Sequence, residues 1–204
     1  MKLYYMSTAD RRQTAIAVKP KEVNLLEIDK EELERTGVLP FDLELKHPFF
    51  KNCELCYDDD FSTIKTIWAD CQLNSVLLIL CSERLQGLIN GHLTGKEGLK
   101  WGSCNILLGR ERRIYYFPIF TKLLDVLDVD KCFYGGRERT LENLIKPVFD
   151  SNKIKEYAIF PCPSNRDYWK LPPSVYVFEG IKRDIVKAGM QKGLCFDLAP
   201  VSNQ

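Results

Sequence analysis

With 204 residues, 45% of them apolar and 28% charged, the chain can bury roughly 70% of its unfolded surface as one domain, and its composition argues against disorder. A net charge of +1 excludes a global field drawing it to nucleic acid or an anionic membrane, so any such binding needs a local patch. The charge is uneven: residues 1–70 carry ten Lys and Arg against fourteen Asp and Glu, and the remainder nineteen against fourteen, so the amino-terminal third is the acidic third.

In chain order, residues 2–7, with adjacent Tyr4 and Tyr5, read as a first strand and residues 22–28 as a second, with Pro20 just before it. Glu31, Glu32, Leu33 and Glu34 form one helical turn closed by Gly37 and Pro40. Residues 41–50 alternate weakly and contain Pro48, which predicts an edge strand or ordered loop. The longest apolar run, 75–81, falls far short of the ~18 to 20 residues that span a bilayer and reads as a buried strand. Ser82 then caps a short helix whose Leu85, Leu88 and Ile89 face inward and which Gly91 ends.

Residues 103–108 and 112–120 read as a hairpin turning around Gly109, with aromatic Tyr115, Tyr116, Phe117 and Phe120 in its second arm. Residues 123–129 have helical or turn character, and Gly135 and Gly136 mark a loop. Two more short strands, 144–149 and 157–160, precede a proline-bracketed irregular loop, 161–173, that holds Tyr168 and Trp169.

The most legible stretch is 174–201. Val175, Val177 and Phe178 begin as a strand; Ile181, Ile185 and Ala188 then recur at helical spacing, with Lys182, Arg183 and Lys187 on the other side. Glu179 near the start and Lys187 in the last turn suit the macrodipole, and Gly189 supplies the stop. Gly193 turns the chain into a closing strand of Leu194, Phe196 and Leu198, up to Pro200.

The fold class is therefore α+β: mixed or antiparallel sheets with a few short helices, and strand-then-helix units near 75–91 and 174–190. Residues 1–56 read as a strand-rich amino-terminal segment packed on a main domain of 57–204, one globular unit overall. The amino terminus lacks the apolar region of a signal peptide, which places the protein in the cytoplasm without a membrane anchor. The eight cysteines, scattered among apolar residues, read as reduced, buried thiols.

Chemistry has few footholds. Cys53 and Cys56 have the gap at which two thiolates grip zinc, but a structural site needs two further ligands and no second close pair exists. Neighbouring carboxylates would raise rather than lower these thiol pKa values, which argues against a redox role. Asp58, Asp59 and Asp60 read first as a solvated acidic loop and second, with Glu54, as a patch for a basic partner. Consecutive side chains point apart and do not converge on one ion. Arg110, Arg112, Arg113, Arg137 and Arg139 make the most basic region, which without a recognition motif reads as a solvated face. Phosphate-binding glycine loops and serine-hydrolase elbows are missing, and only two histidines, His47 and His92, are present.

An ordered series of features adds a resemblance. Ser82 to Leu85 after an apolar strand, Tyr115 and Tyr116, residues 124–128 (Leu-Asp-Val-Leu-Asp), Val148 to Asp150 followed by Lys153 and Ile154, Ala158 to Phe160, Val175 to Val177, Lys182, Lys187 to Gly189 and residues 193–201 together resemble the immunity-protein-11 family of bacterial polymorphic toxin systems. The resemblance covers about residues 57–201. It implies a cytoplasmic, cofactor-free, non-enzymatic protein that binds a cognate toxin domain and blocks it by occlusion, and Glu54, Asp58, Asp59 and Asp60 are the candidate contacts. Two readings of other classes stand beside it: a small metal-dependent regulator or enzyme using Cys53 and Cys56, and a nucleic-acid-binding accessory protein using the arginines.

Overall fold

A computed structural model describes residues 2–9, 14–24, 29–165 and 167–202. The fold is α+β, with short helices set among curled mixed and antiparallel sheets.

The amino-terminal elements are β1 (Leu3–Thr8), β2 (Ile16–Val18), α1 (Lys30–Thr36), β3 (Leu43–Lys51) and β4 (Glu54–Asp58). The middle of the chain forms β5 (Cys71–Gln72), β6 (Leu80–Ser82), α2 (Glu83–Asn90), β7 (Leu99–Leu108) and β8 (Glu111–Phe120). There follow β9 (Phe133–Tyr134), β10 (Leu144–Lys146), β11 (Phe149–Asp150), α3 (Ser151–Ile154), β12 (Ile159–Phe160), β13 (Ser174–Phe178), α4 (Glu179–Lys187), β14 (Leu194–Leu198) and β15 (Val201–Ser202).

The smaller main sheet runs β12-β13-β1-β14, antiparallel throughout, with the amino-terminal strand inserted between two strands from the other end of the chain. Alternation explains why β1 takes this central place. Tyr4 and Met6 face the core shared with Val175, Val177, Ile181 and Ile185, while Leu3 and Tyr5 face a second core with Phe149, Phe160 and Tyr176. The larger sheet runs β2-β3-β7-β8-β6-β5, with β4 hanging from β3. One of its faces packs with Leu33 of α1 around Leu43, Leu45, Ile106, Phe117 and Ile119. Helices α2 and α4 bury Leu85, Ile89, Ile181 and Ile185 in the core common to both sheets.

Several expectations hold in detail. The strand, helix and closing strand of 174–198 form as read, with left-handed Gly189 and Gly193 at the turns. Ser82 caps α2 by accepting the Leu85 amide at 3.3 Å. The expected turn at 31–34 lies within α1, which left-handed Gly37 closes, and Asp29, not singled out from the sequence, caps its start.

Others are corrected. The apolar run 75–81 is strand only from Leu80. The Asn74 side chain bonds the amides of Val76 and Leu78 and the carbonyls of Gln72 and Leu78, curling the run into a loop that puts Leu77 70% exposed at its bend. Of the helical or turn character expected at 123–129 only a turn beginning at Val129 is present, and the rest runs irregularly, with a bridge from Leu127 to Phe149. The expected strand 144–149 is split into β10 and β11, and β11 pairs in parallel with β15 beyond Pro200. Of the expected strand 22–28, Glu22 lies in a turn, Val23 and Asn24 are irregular, and residues 25–28 lie outside the described residues.

The segment 41–50 is neither an edge strand nor a loop in its first half. There β3 lies between β2, paired antiparallel, and β7, paired parallel. Its second half leaves the sheet and pairs with β4 alone. Pro48 sits in that second half, where a missing amide donor breaks no second ladder.

Candidate functional site

The β3–β4 hairpin beyond the sheet is where the sequence-predicted contact residues meet a surface. Its turn is Asn52 and Cys53, both left-handed at φ 51° and 66°, so Lys51 lies opposite Glu54. Two consecutive positive φ values match the right-handed twist of the arms and make a tight two-residue connection.

The register sorts the side chains. Opposed residues share a face, so Pro48 with Tyr57 and Phe50 with Leu55 form one face, and His47 with Asp58, Phe49 with Cys56 and Lys51 with Glu54 form the other. The first face is uncovered: Phe50 is 77% exposed, Leu55 47% and Tyr57 39%. The second leans on the following loop, where the Thr63 hydroxyl lies 3.4 Å from His47 Nε2. Glu44 and Lys46, on the same face as Pro48 and Phe50, continue the uncovered face toward β2. At its base is a cleft of about 720 Å³ lined by Lys19, Lys21, Glu44, Lys46, Tyr57, Asp58 and Asp59.

The four predicted contact residues are not brought together. Glu54 stands at the turn end of β4 and the three aspartates at its other end, roughly 13 Å away at 3.3 Å per residue. The aspartates also have local work. Asp58 Oδ1 lies 3.0 Å from His47 Nδ1 and accepts the Asp60 amide at 3.1 Å; Asp59 accepts from Lys46 Nζ at 3.0 Å; Asp60 accepts the Ser62 amide at 2.9 Å. The bonds that Asp59 and Glu44 accept raise the Lys46 pKa, and the Ser62 amide and hydroxyl lower that of Asp60. The carboxylates therefore form a hydrogen-bonded hairpin base, with the Asp59 side chain still 77% exposed.

The remaining candidates disperse. Cys53 is exposed in the turn, while Cys56 faces Phe49 on the covered side, and no group of three or more His, Cys, Asp or Glu among the described residues is placed to hold a metal. Arg110, Arg112 and Arg113 lie at the β7–β8 turn and Arg137 and Arg139 in the loop after β9. Arg113 pairs with Glu111 at 2.7 Å and lies 4.3 Å from the Trp68 ring centre; Arg139 pairs with Asp130 at 2.6 Å. No helix among the described residues is long and apolar enough to cross a membrane.

The apolar face was the missed element. Its signal is present in the alternation of Glu54, Leu55, Cys56, Tyr57 and Asp58, in which Leu55 and Tyr57 share one face between charged or thiol-bearing neighbours. Compared with known proteins, the chain matches no family model and no curated protein.

Proposed function

We propose that the protein neutralises a cognate toxin domain by binding and covering it, and that the uncovered face of the β3–β4 hairpin is the contact surface. The observation that carries this reading is the exposure of Phe50, Leu55 and Tyr57 on one face of an ordered hairpin. Large apolar side chains grouped on a surface mark interaction sites, and aromatic anchors dominate binding energy once water is excluded around them. Glu54 at the tip and Asp59 at the base place carboxylates beside Lys51 and Lys46, a charge pattern at the two ends of the hairpin that sets the pairing orientation. The toxin class comes from the resemblance described above; the cytoplasm is the setting in this reading, where the thiols stay reduced.

The test uses the full chain and candidate toxin domains taken from the genes that flank its own, with calorimetry and growth rescue in cells expressing each domain. Stoichiometric binding with rescue is expected. Phe50→Asp should weaken binding by at least ~30-fold, the roughly 2 kcal/mol of a hot spot, without lowering the unfolding midpoint. Unchanged affinity in Phe50→Asp would remove the hairpin from the interface, and absence of both binding and rescue would end the toxin reading.

A further inference from the structure

The same hairpin has an edge as well as a face. Among the described residues β4 pairs with β3 only, so its other side carries no strand. In a two-residue hairpin the residues flanking the turn form a bonded pair, after which non-bonded and bonded pairs alternate. Lys51 and Glu54 are therefore bonded, Phe50 and Leu55 are not, Phe49 and Cys56 are, and Pro48 and Tyr57 are not. Pro48, which has no amide hydrogen, falls where β4 asks for none. The amides and carbonyls of Leu55 and Tyr57 consequently point outward along the open edge.

We infer that this edge accepts an extended segment of the partner as an added antiparallel strand, with apolar residues opposite Leu55 and Tyr57 and basic residues opposite Glu54 and Asp58. This rests on the hairpin being the partner-facing surface. The charges decide the occupant. Antiparallel pairing of β4 with a second copy of itself, in the register that uses the whole strand, sets Glu54 opposite Asp58 at both ends, and like charges directly opposite destabilise a sheet. A segment with Lys or Arg at those two positions turns both contacts favourable. These are the non-bonded pairs, whose side chains approach most closely. The same strand lays its intervening apolar side chains beside Leu55 and Tyr57, extending the uncovered face rather than competing with it. Main-chain bonds supply affinity and the alternate side chains specificity, as in other strand additions.

The probe is a synthetic peptide, acetyl-Ser-Arg-Val-Thr-Val-Lys-Ser-amide, titrated into the full isotope-labelled chain and followed by amide shifts and hydrogen exchange. The expected result is slowed exchange at the Leu55 and Tyr57 amides and binding that weakens as salt rises. Binding should be lost when Glu replaces Arg and Lys in the peptide, and when both valines are N-methylated. In the protein, Leu55→Pro should abolish binding and Leu55→Thr retain it, with the unfolding midpoint of each variant confirming the fold. Equal binding of the N-methylated peptide, or unchanged Leu55 and Tyr57 amides at saturating peptide, overturns strand addition. The toxin domain separates the two ideas. If it binds while those amides exchange freely, strand addition fails and the neutralising function stands. If it does not bind while the peptide does, the edge is supported and the toxin reading fails.

Discussion

Gly193 shows how much one absent side chain can matter. Its φ is +79°, and a Cβ there would fall on the backbone carbonyl of Cys71. The neighbouring turn is tied down on both sides, with the Gly193 carbonyl accepting the Ala9 amide at 2.8 Å and the Lys192 carbonyl accepting the Cys71 amide at 3.0 Å. Gly193→Ala is therefore expected to cost at least about 2 kcal/mol, combining left-handed strain with a clash that backbone must absorb; the chemical-denaturation midpoint reads it. Glu97 is a polar counterpart. Its buried carboxylate accepts the Thr94 amide at 3.0 Å and the Ala158 amide at 2.9 Å, with the Thr94 hydroxyl at 2.9 Å. Burial alone would raise its pKa, but these donors outweigh it and hold the carboxyl below its ordinary value. A depressed folded pKa contributes stability that is present above the unfolded value of about 4.3 and disappears as pH falls through the folded one. Glu97→Ala should lose roughly 1.5 to 3 kcal/mol at neutral pH and show a shallower loss of stability on acidification than the parent, measured as denaturation midpoint against pH.

Among the elements, the hairpin β3–β4 carries both the strain and the proposed contact. Cys53 adopts φ 66° without being glycine, a conformation costing about 1 kcal/mol for a residue with a Cβ. Cys53→Gly restores the favoured Asn-Gly turn and should stabilise the protein by up to about 1 kcal/mol, with a higher thermal midpoint. A lower midpoint would mean that the Cys53 side chain holds the turn by contact. The two strand-then-helix units show what local pattern conveys. At 174–187 strand and helix form as read, because Val175 and Val177 alternate with Tyr176 and Phe178 and so fit a sheet buried on both faces. At 75–82 an unbroken apolar run carries no period, and Asn74, buried with its amide fully engaged, bends it before Leu80. Residues 41–50 were misplaced for a related reason: one proline suggests an edge, yet the strand is interior over its first half and open only where Pro48 lies.

At the scale of the molecule the expectation of buried thiols holds only for Cys71, Cys81 and Cys104, while Cys53 is exposed and Cys56, Cys132, Cys162 and Cys195 are half-buried, and the three buried thiols report how completely the parts close on one another. Cys71 and Cys81 lie opposite each other across β5 and β6 in the core between the sheets, and burial pushes the Cys71 thiol up to about 12 and Cys81 well above its ordinary value. Cys104 is likewise pushed up to about 12 by burial. Reaction needs an accessible thiol, so the exposed Cys53 should be labelled well before the buried Cys71, Cys81 and Cys104, which react only at the rate of global opening. Fast labelling of the latter three, resolved by peptide mass analysis, would show that the two main sheets separate without unfolding. The acidic residues at the hairpin were legible as charges, while their division into hydrogen-bonded base and distant tip, and the apolar face between, was not.

By itself the sequence determined what depends on near neighbours: the caps at Ser82 and Gly189, the amphipathic face of α4, the β7–β8 hairpin and the α+β class, because these follow from turn geometry, side-chain period and bonds within a few residues. Only the tertiary structure decided that Leu3–Thr8 lies between β13 and β14, that β3 is interior and then open, and that Phe50, Leu55 and Tyr57 are left without cover. Burial and strand pairing are set by segments distant in the chain, and a strand with two apolar faces looks the same locally whichever neighbours complete its ladder.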